Sequence, residues 1–175
     1  MDAHNYYSGK VCVVTGAGSG MGKATAALLV AEDAEVYALD MQPVAIEGIA
    51  KYIQVDLSEK NSIDHVFAEL PAHIDCFFGV AGILGATLPF MKVACIDLIS
   101  NKYMLEELLF ERMGEGGAIA LVSSDAGIGW EKDGNKVFFA GAVDAEGWGG
   151  LLHFLRQRAS PSSTWASPTC TLSWL

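Results

Sequence analysis

The stretch that most constrains this chain runs from Val11 to Ala31. Val11-Cys12-Val13-Val14-Thr15 is a short apolar, β-branched run without polar alternation, as expected of a strand buried on both faces. It breaks at Gly16-Ala17-Gly18-Ser19-Gly20-Met21-Gly22, and a helical pattern follows with Ala24, Ala27, Leu28 and Ala31 on one face. Each glycine has a physical use. Gly16 lets the chain turn, Gly20 lets backbone N–H groups approach a pyrophosphate, and Gly22 lets the helix pack close to the strand. The helix N-terminus offers partial positive charge to phosphate groups. Asp40 closes the next strand, Glu35–Asp40, where its carboxylate would accept hydrogen bonds from ribose hydroxyls and repel a 2′-phosphate. No Arg or Lys lies in the loop before Lys23 or directly after Asp40, so NAD is favoured over NADP. A glycine loop alone is a weak signal. The strand before it, the helix after it and the acid beyond it make it specific.

The pattern repeats along the chain. Tyr52-Ile53-Gln54-Val55 reads as a third strand, and Ser62 to Leu70 as a helix closed by Pro71. Ile74 to Val80 reads as a fourth strand. A long helix follows, from about Lys92 or Asp97 to Met113, with Leu105, Leu108 and Leu109 inward. Ala118 to Ser123 is a fifth strand. Five apolar strands separated mostly by helices predict an α/β fold of Rossmann type: a doubly wound parallel sheet in the order 3-2-1-4-5, with ligand at the carboxyl ends of the strands. The expected domain spans residues 8–150. Residues 151–175 read as an atypical, poorly ordered tail. No acidic residue follows Glu146, and from Ala159 onward eight of 17 residues are Ser or Thr.

Composition narrows the partners. The net charge of −10 argues against nucleic acid, because phosphate backbones need Lys and Arg. Cys12, Cys76, Cys95 and Cys170 form no CxxC pair, and His65, His73 and His153 have no ligand spacing, so no metal is expected. Cys12 and Cys76 read as small buried hydrophobes. No apolar run approaches the ~20 residues of a membrane span. Met1 to Asn5 lacks the features of a signal peptide. A cytoplasmic protein is expected.

Thr15 to Gly22 resembles the cofactor loop of the short-chain dehydrogenase/reductase family, and the similarity continues in register over about residues 8–130. Val55-Asp56-Leu57 resembles the segment after strand 3, where the family's Asp contacts the adenine amino group. Val80-Ala81-Gly82 resembles the segment lining the cofactor after strand 4. Ser123-Ser124 closes strand 5, where the family keeps its catalytic Ser; Ser124 is the better match and Ser123 the second. The nearest flavour is that of hydroxysteroid or alcohol dehydrogenase-like members. The resemblance implies an NAD(P)-dependent oxidoreductase acting on a secondary alcohol or ketone, often as dimers or tetramers. The implied cofactor-binding set is Gly16, Ser19, Gly20, Met21, Gly22, Asp40, Asp56, Leu57, Ala81 and Gly82.

The catalytic set departs from the family. Asp97 stands where an Asn of the long helix would hold a relay water, with Asn101 one turn further on. An ionised Asp accepts but cannot donate. The family's Tyr-x-x-x-Lys pair is absent after Ser124, where the chain contains no tyrosine. Tyr6 and Lys10 have the spacing but precede strand 1 and read as a flexible lead-in. Val80 replaces a frequent Asn, and Asp33 replaces a Gly before strand 2. The abrupt change after Trp148 suggests a truncated, out-of-frame or mis-spliced ending, with assembly impaired. The alternative function is a non-catalytic nucleotide-binding or regulatory module.

Overall fold

A computed structural model describes residues 6–84, 88–124, 128–129 and 131–158. The chain divides into two compact units, one from Met1–Gly82 and Leu108–Val122, the other from Ile83–Glu107 and Ser123–Leu175.

The first unit holds a parallel sheet of β1 (Val11–Thr15), β2 (Glu35–Asp40), β3 (Lys51–Gln54), β4 (Cys76–Gly79) and β5 (Ala118–Leu121). Its order is β3-β2-β1-β4-β5, as the alternation of strands and helices predicts. β1 lies in register with Val36 to Leu39 on one side and with Cys76 to Gly79 on the other. That double pairing explains why Cys12, Val13, Val14 and Thr15 are wholly buried. Cys12 sits opposite Cys76, and burial, with Cys76 as a neighbour, pushes the Cys12 thiol up to about 12. A thiol so rarely ionised packs as a small hydrophobe.

Helix α1 (Gly20–Ala31) follows the loop, but it turns a different face inward from the one its alanine spacing suggests. Gly22, Ala26 and Leu29 are buried, whereas Ala24, Ala27, Leu28 and Ala31 are exposed. The helix is apolar almost all round, so periodicity could not choose the face. Packing chooses the face with Gly22, whose missing side chain lets the helix approach the carbonyl of Gly16. At its C-terminus Asp33 adopts φ 57°, the left-handed region where glycine is at ease and Asp is tolerated. Helix α2 (Lys60–Glu69) buries Ile63, Val66 and Phe67.

Tyr6 to Gly9, read from the sequence as part of a flexible lead-in, form a defined turn. Gly9 donates its N–H to the Asp33 carbonyl, and the Lys10 ammonium lies 3.5 Å from the Tyr6 ring centre. At the amino end of the sheet, one Asp75 oxygen accepts the Val11 N–H at 2.8 Å and the other faces His73 Nε2 at 3.0 Å. The Val11 bond, then His73, holds the Asp75 carboxyl below its usual range. A lowered carboxyl contributes stability above its unfolded pKa, and that contribution is lost as pH falls through the folded value. Asp75→Asn is therefore expected to cost about 1 kcal/mol at pH 7 and to make acid unfolding less steep. Denaturant midpoints across the acid range check this; an unchanged acid limb contradicts it.

The second unit is helical. α3 (Phe90–Ala94) widens into the π-helical π1 (Cys95–Ile99), returns to α in α4 (Ser100–Tyr103), and widens again in π2 (Met104–Leu109). Two further helices follow, α5 (Asp133–Val143) and α6 (Gly147–Arg158). The stretch from 151 to 158, expected to be atypical tail, is thus the greater part of a helix. Leu151 and Leu155, one turn apart, are buried with Ala94, Cys95, Leu98, Ile99 and Ala142. The Tyr103 and Trp148 rings meet edge to face at 5.8 Å. The remainder of the expected tail, residues 159–175, lies outside the described residues, as do Ala126, Gly127 and Trp130. Among the described residues no helix is long and apolar enough to cross a membrane.

Candidate functional site

The first unit gathers the glycine loop, Asp40 and the segment after β4 at the carboxyl ends of β1, β2 and β4. Gly16 has φ 72°, and a Cβ there would come within 2.8 Å of the Ala81 Cα. The Thr15 hydroxyl, wholly buried, accepts the N–H groups of both Val80 and Ala81 at 3.1 Å. This fastens the segment after β4 to the root of the loop. Asp40 is fastened in the same way. Its Oδ2 accepts the Gly18 N–H and its Oδ1 the Gln42 N–H, each at 2.8 Å. A Cβ at Gly18 would lie 2.9 Å from that carboxylate, so glycine is what lets the acid stand against the loop.

The loop is open on its outer side. Gly20 has φ 51°, and a Cβ there would meet nothing within 4 Å, so the backbone of the loop faces open space. Ser19 precedes α1 without a side-chain capping bond, and the first turn carries no acid. The N–H groups of that turn thus keep their capacity for an anion. Gly16, Ser19, Gly20, Met21, Gly22 and Asp40 would hold such a cofactor, with Ala81 and Gly82 beside them.

Asp56 has a local task as well. Its Oδ1 accepts both the N–H and the hydroxyl of Ser58, at 2.9 and 2.6 Å, while its own N–H donates to the Ser62 hydroxyl. These bonds shape the turn into α2, and Leu57 beside it is buried.

In the second unit Asp97 lies in π1, half-buried. Its Oδ1 accepts the Ile83 N–H at 2.9 Å, a bond within this unit. Burial pushes the Asp97 carboxyl up to about 6, against the downward pull of that N–H. Asn101 supports the same residue from the other side, its amide donating to the Asp97 carbonyl at 3.0 Å. The wide turn has an identifiable neighbour too: the Ser100 hydroxyl donates back to the Ile96 carbonyl at 2.7 Å, a bond that bends helices. Asp97 and Asn101, which sequence spacing offers as rivals for one position, are joined in the structure by the amide-to-carbonyl hydrogen bond. Ser124 is exposed, past the end of β5. Among the described residues no group of three His, Cys, Asp or Glu side chains is placed to hold a metal ion.

A parallel sheet in this order, with a glycine loop after β1 and an acid ending β2, defines a doubly wound α/β protein of the dehydrogenase type. The sequence pattern of the short chain dehydrogenase family matches residues 10–134, and the chain belongs to that family. Coniferyl-alcohol dehydrogenase of Pseudomonas sp. (strain HR199 / DSM 7063) is 36% identical over 121 residues, covering 69% of this chain and 46% of that protein. A 2,5-dichloro-2,5-cyclohexadiene-1,4-diol dehydrogenase of Sphingobium indicum is 35% identical over 143 residues, covering 69% of this chain and 56% of its own length. The chain thus spans about half the length of these relatives. Among solved structures, a short chain dehydrogenase family protein from Francisella tularensis superposes with TM-score 0.62 at 25% identity, over 72% of this chain and 55% of that one. Two more distant folds of the same kind hold different cofactors. The Leptospira borgpetersenii protein (TM-score 0.63, 19% identity, 76% and 58% coverage) has bound NAD+. The Burkholderia cenocepacia protein (TM-score 0.61, 22% identity, 78% and 64% coverage) is in complex with NADP.

Proposed function

We propose that this chain carries the cofactor-binding part of an NAD-dependent oxidoreductase that moves a hydride between nicotinamide and the carbon of a secondary alcohol or ketone. The observation that supports NAD is the placement of Asp40. Its carboxylate is held by the Gly18 and Gln42 N–H groups at the mouth of the loop, where a ribose would lie and a 2′-phosphate would be repelled. Bound NAD would supply the hydride acceptor. The first turn of α1 would hold the pyrophosphate, and Asp56 the adenine end. Ser124 would orient the substrate oxygen. Asp97 is a positioning residue that acts through the Ile83 N–H.

Nothing in these 175 residues supplies the family's acid/base tyrosine after Ser124. A phenol or its equivalent contributes ~10²–10⁴ to proton transfer. Turnover of this chain is therefore expected to fall by at least that factor against a relative possessing it. The alternative reading is a non-catalytic nucleotide-binding module.

Calorimetric titration with NAD+ and NADP+, beside a dehydrogenase assay on coniferyl alcohol and simple secondary alcohols, tests both readings. NAD+ is expected to bind at least about tenfold tighter than NADP+, ~1.4 kcal/mol. Asp40→Ala is expected to erase that preference, chiefly by weakening NAD+. Failure to bind either dinucleotide overturns the proposal. NAD+ binding without detectable turnover selects the module, and equal affinities refute the role of Asp40.

A further inference from the structure

Asp40 carries the proposed preference for NAD, and its carboxylate is held in part from the bend that follows it. Asp40 Oδ1 accepts the Gln42 N–H at 2.8 Å. That N–H belongs to the peptide unit joining Met41 to Gln42. Among the described residues no peptide is cis, so the Met41 carbonyl points the opposite way in the same plane. The Gln54 amide donates to that carbonyl, Nε2 to oxygen at 3.0 Å. Gln54 thus grips one end of a rigid plate whose other end holds the carboxylate.

The plate lies just beyond the reach of the sheet. Asp40 and Gln54 are register partners in the parallel ladder, and the Val55 N–H donates to the Asp40 carbonyl at 3.0 Å. Tyr52, two residues before Gln54 on the same face of β3, brings its hydroxyl to that carbonyl at 3.4 Å. These bonds fix the chain as far as Asp40. Met41 and Gln42 come next, exposed and in a bend rather than a hydrogen-bonded turn, and Pro43 brings no N–H of its own. Without the Gln54 bond the plate can rotate about the single bonds on either side. A half-turn would present a carbonyl oxygen to the carboxylate where an N–H now stands. The Gly18 N–H would remain as a single hold, about which the carboxylate can pivot.

We infer that Gln54 is a positioning residue for cofactor preference. By holding the Met41–Gln42 peptide it keeps the Gln42 N–H on Asp40, and so keeps the carboxylate turned toward a ribose and against a 2′-phosphate. This role rests on the NAD reading of Asp40 and adds to it a residue from the neighbouring strand that need not touch the cofactor.

The test is calorimetric titration of the whole chain with NAD+ and NADP+, the wild type beside two variants. Gln54→Met keeps the length of the side chain and loses the donor; Gln54→Asn keeps the amide but falls one methylene short of the carbonyl. In each, NAD+ is expected to bind about fivefold more weakly, the worth of one hydrogen bond, while NADP+ is not weakened. The Gln42 amide proton, followed by NMR without cofactor, is expected to exchange faster with solvent. Thermal unfolding shows which variant is folded, and either one suffices. A double-mutant cycle separates positioning from a plain loss of structure: in an Asp40→Ala background, Gln54→Met is expected to leave both affinities unchanged. If the wild type prefers NAD+ and a folded variant keeps the same ratio of affinities, the inference is overturned and the cofactor reading stands. Equal weakening of both dinucleotides, or an effect of Gln54→Met that persists without Asp40, overturns it as well. A wild type that binds neither dinucleotide, or both alike, overturns the cofactor reading, and the role of Gln54 falls with it.

Discussion

Gly22→Ala is expected to destabilise the protein by about 3 kcal/mol, at the upper end of what overpacking costs, and to abolish dinucleotide binding. A Cβ at this position would fall on the Gly16 carbonyl, with the Thr15 carbonyl oxygen also within 3.1 Å. Both obstacles are backbone, so no side chain can swing away. Nor can the loop retreat. A Cβ on Gly16 would itself lie 2.8 Å from the Ala81 Cα, and Thr15 is fixed by its ladder partners Leu39 and Gly79. The helix must shift outward, taking with it the N–H groups of its first turn. Gly20→Ala is the informative contrast. Its Cβ would meet nothing, so the strain is that of φ 51° alone, about 1 kcal/mol. Binding should suffer more than stability there, because the new methyl projects from the face left open for phosphate. Thermal unfolding and NAD+ titration of both variants separate the cases. A Gly22→Ala protein that melts like the wild type refutes the packing role given to this glycine.

The same geometry explains what could be read in the sequence and what could not. The strand order was legible because the parallel strands show as short runs with apolar centres, and right-handed crossovers leave few ways to connect them. The cofactor loop was legible because its glycines serve backbone conformation, a requirement that only glycine meets. The inward face of α1 was not, since Ala24, Ala27 and Leu28 are as apolar as Ala26 and Leu29. What distinguishes the faces is a contact with the Gly16 carbonyl, distant from any helical periodicity. Helix α6 was hidden for a related reason. Gly147, Gly149 and Gly150 argue against a helix by propensity, and Leu151 and Leu155 outweigh them by burial against residues some fifty positions earlier. The π-helical turn at Cys95–Ile99 has no propensity signature at all. In the structure it is accompanied by the bonds that Ser100 and Asn101 return to the carbonyls of Ile96 and Asp97.

Asp97→Asn is expected to stabilise the protein at neutral pH and to leave it unchanged near pH 4. Burial raises the folded-state carboxyl to about 6, whereas the unfolded chain ionises near its ordinary 3.8. Between those values the folded protein retains a proton that the unfolded chain has released, so stability falls as pH rises through this window. The cost is fully present above about pH 6 and absent below about pH 4. At ~1.4 kcal/mol per unit, and discounted because the carboxyl keeps some contact with water, it amounts to about 2 kcal/mol. Asn removes the charge while its carbonyl still accepts the Ile83 N–H, so that bond survives. Asp97→Leu removes the acceptor too and is expected to lose stability at both pH values. Denaturant unfolding of the three proteins at pH 4 and pH 7 gives the comparison as differences, in which the titration of Asp75 and the other carboxylates cancels. An Asp97→Asn protein no more stable than the wild type at pH 7 would mean that the carboxylate is stabilised in place.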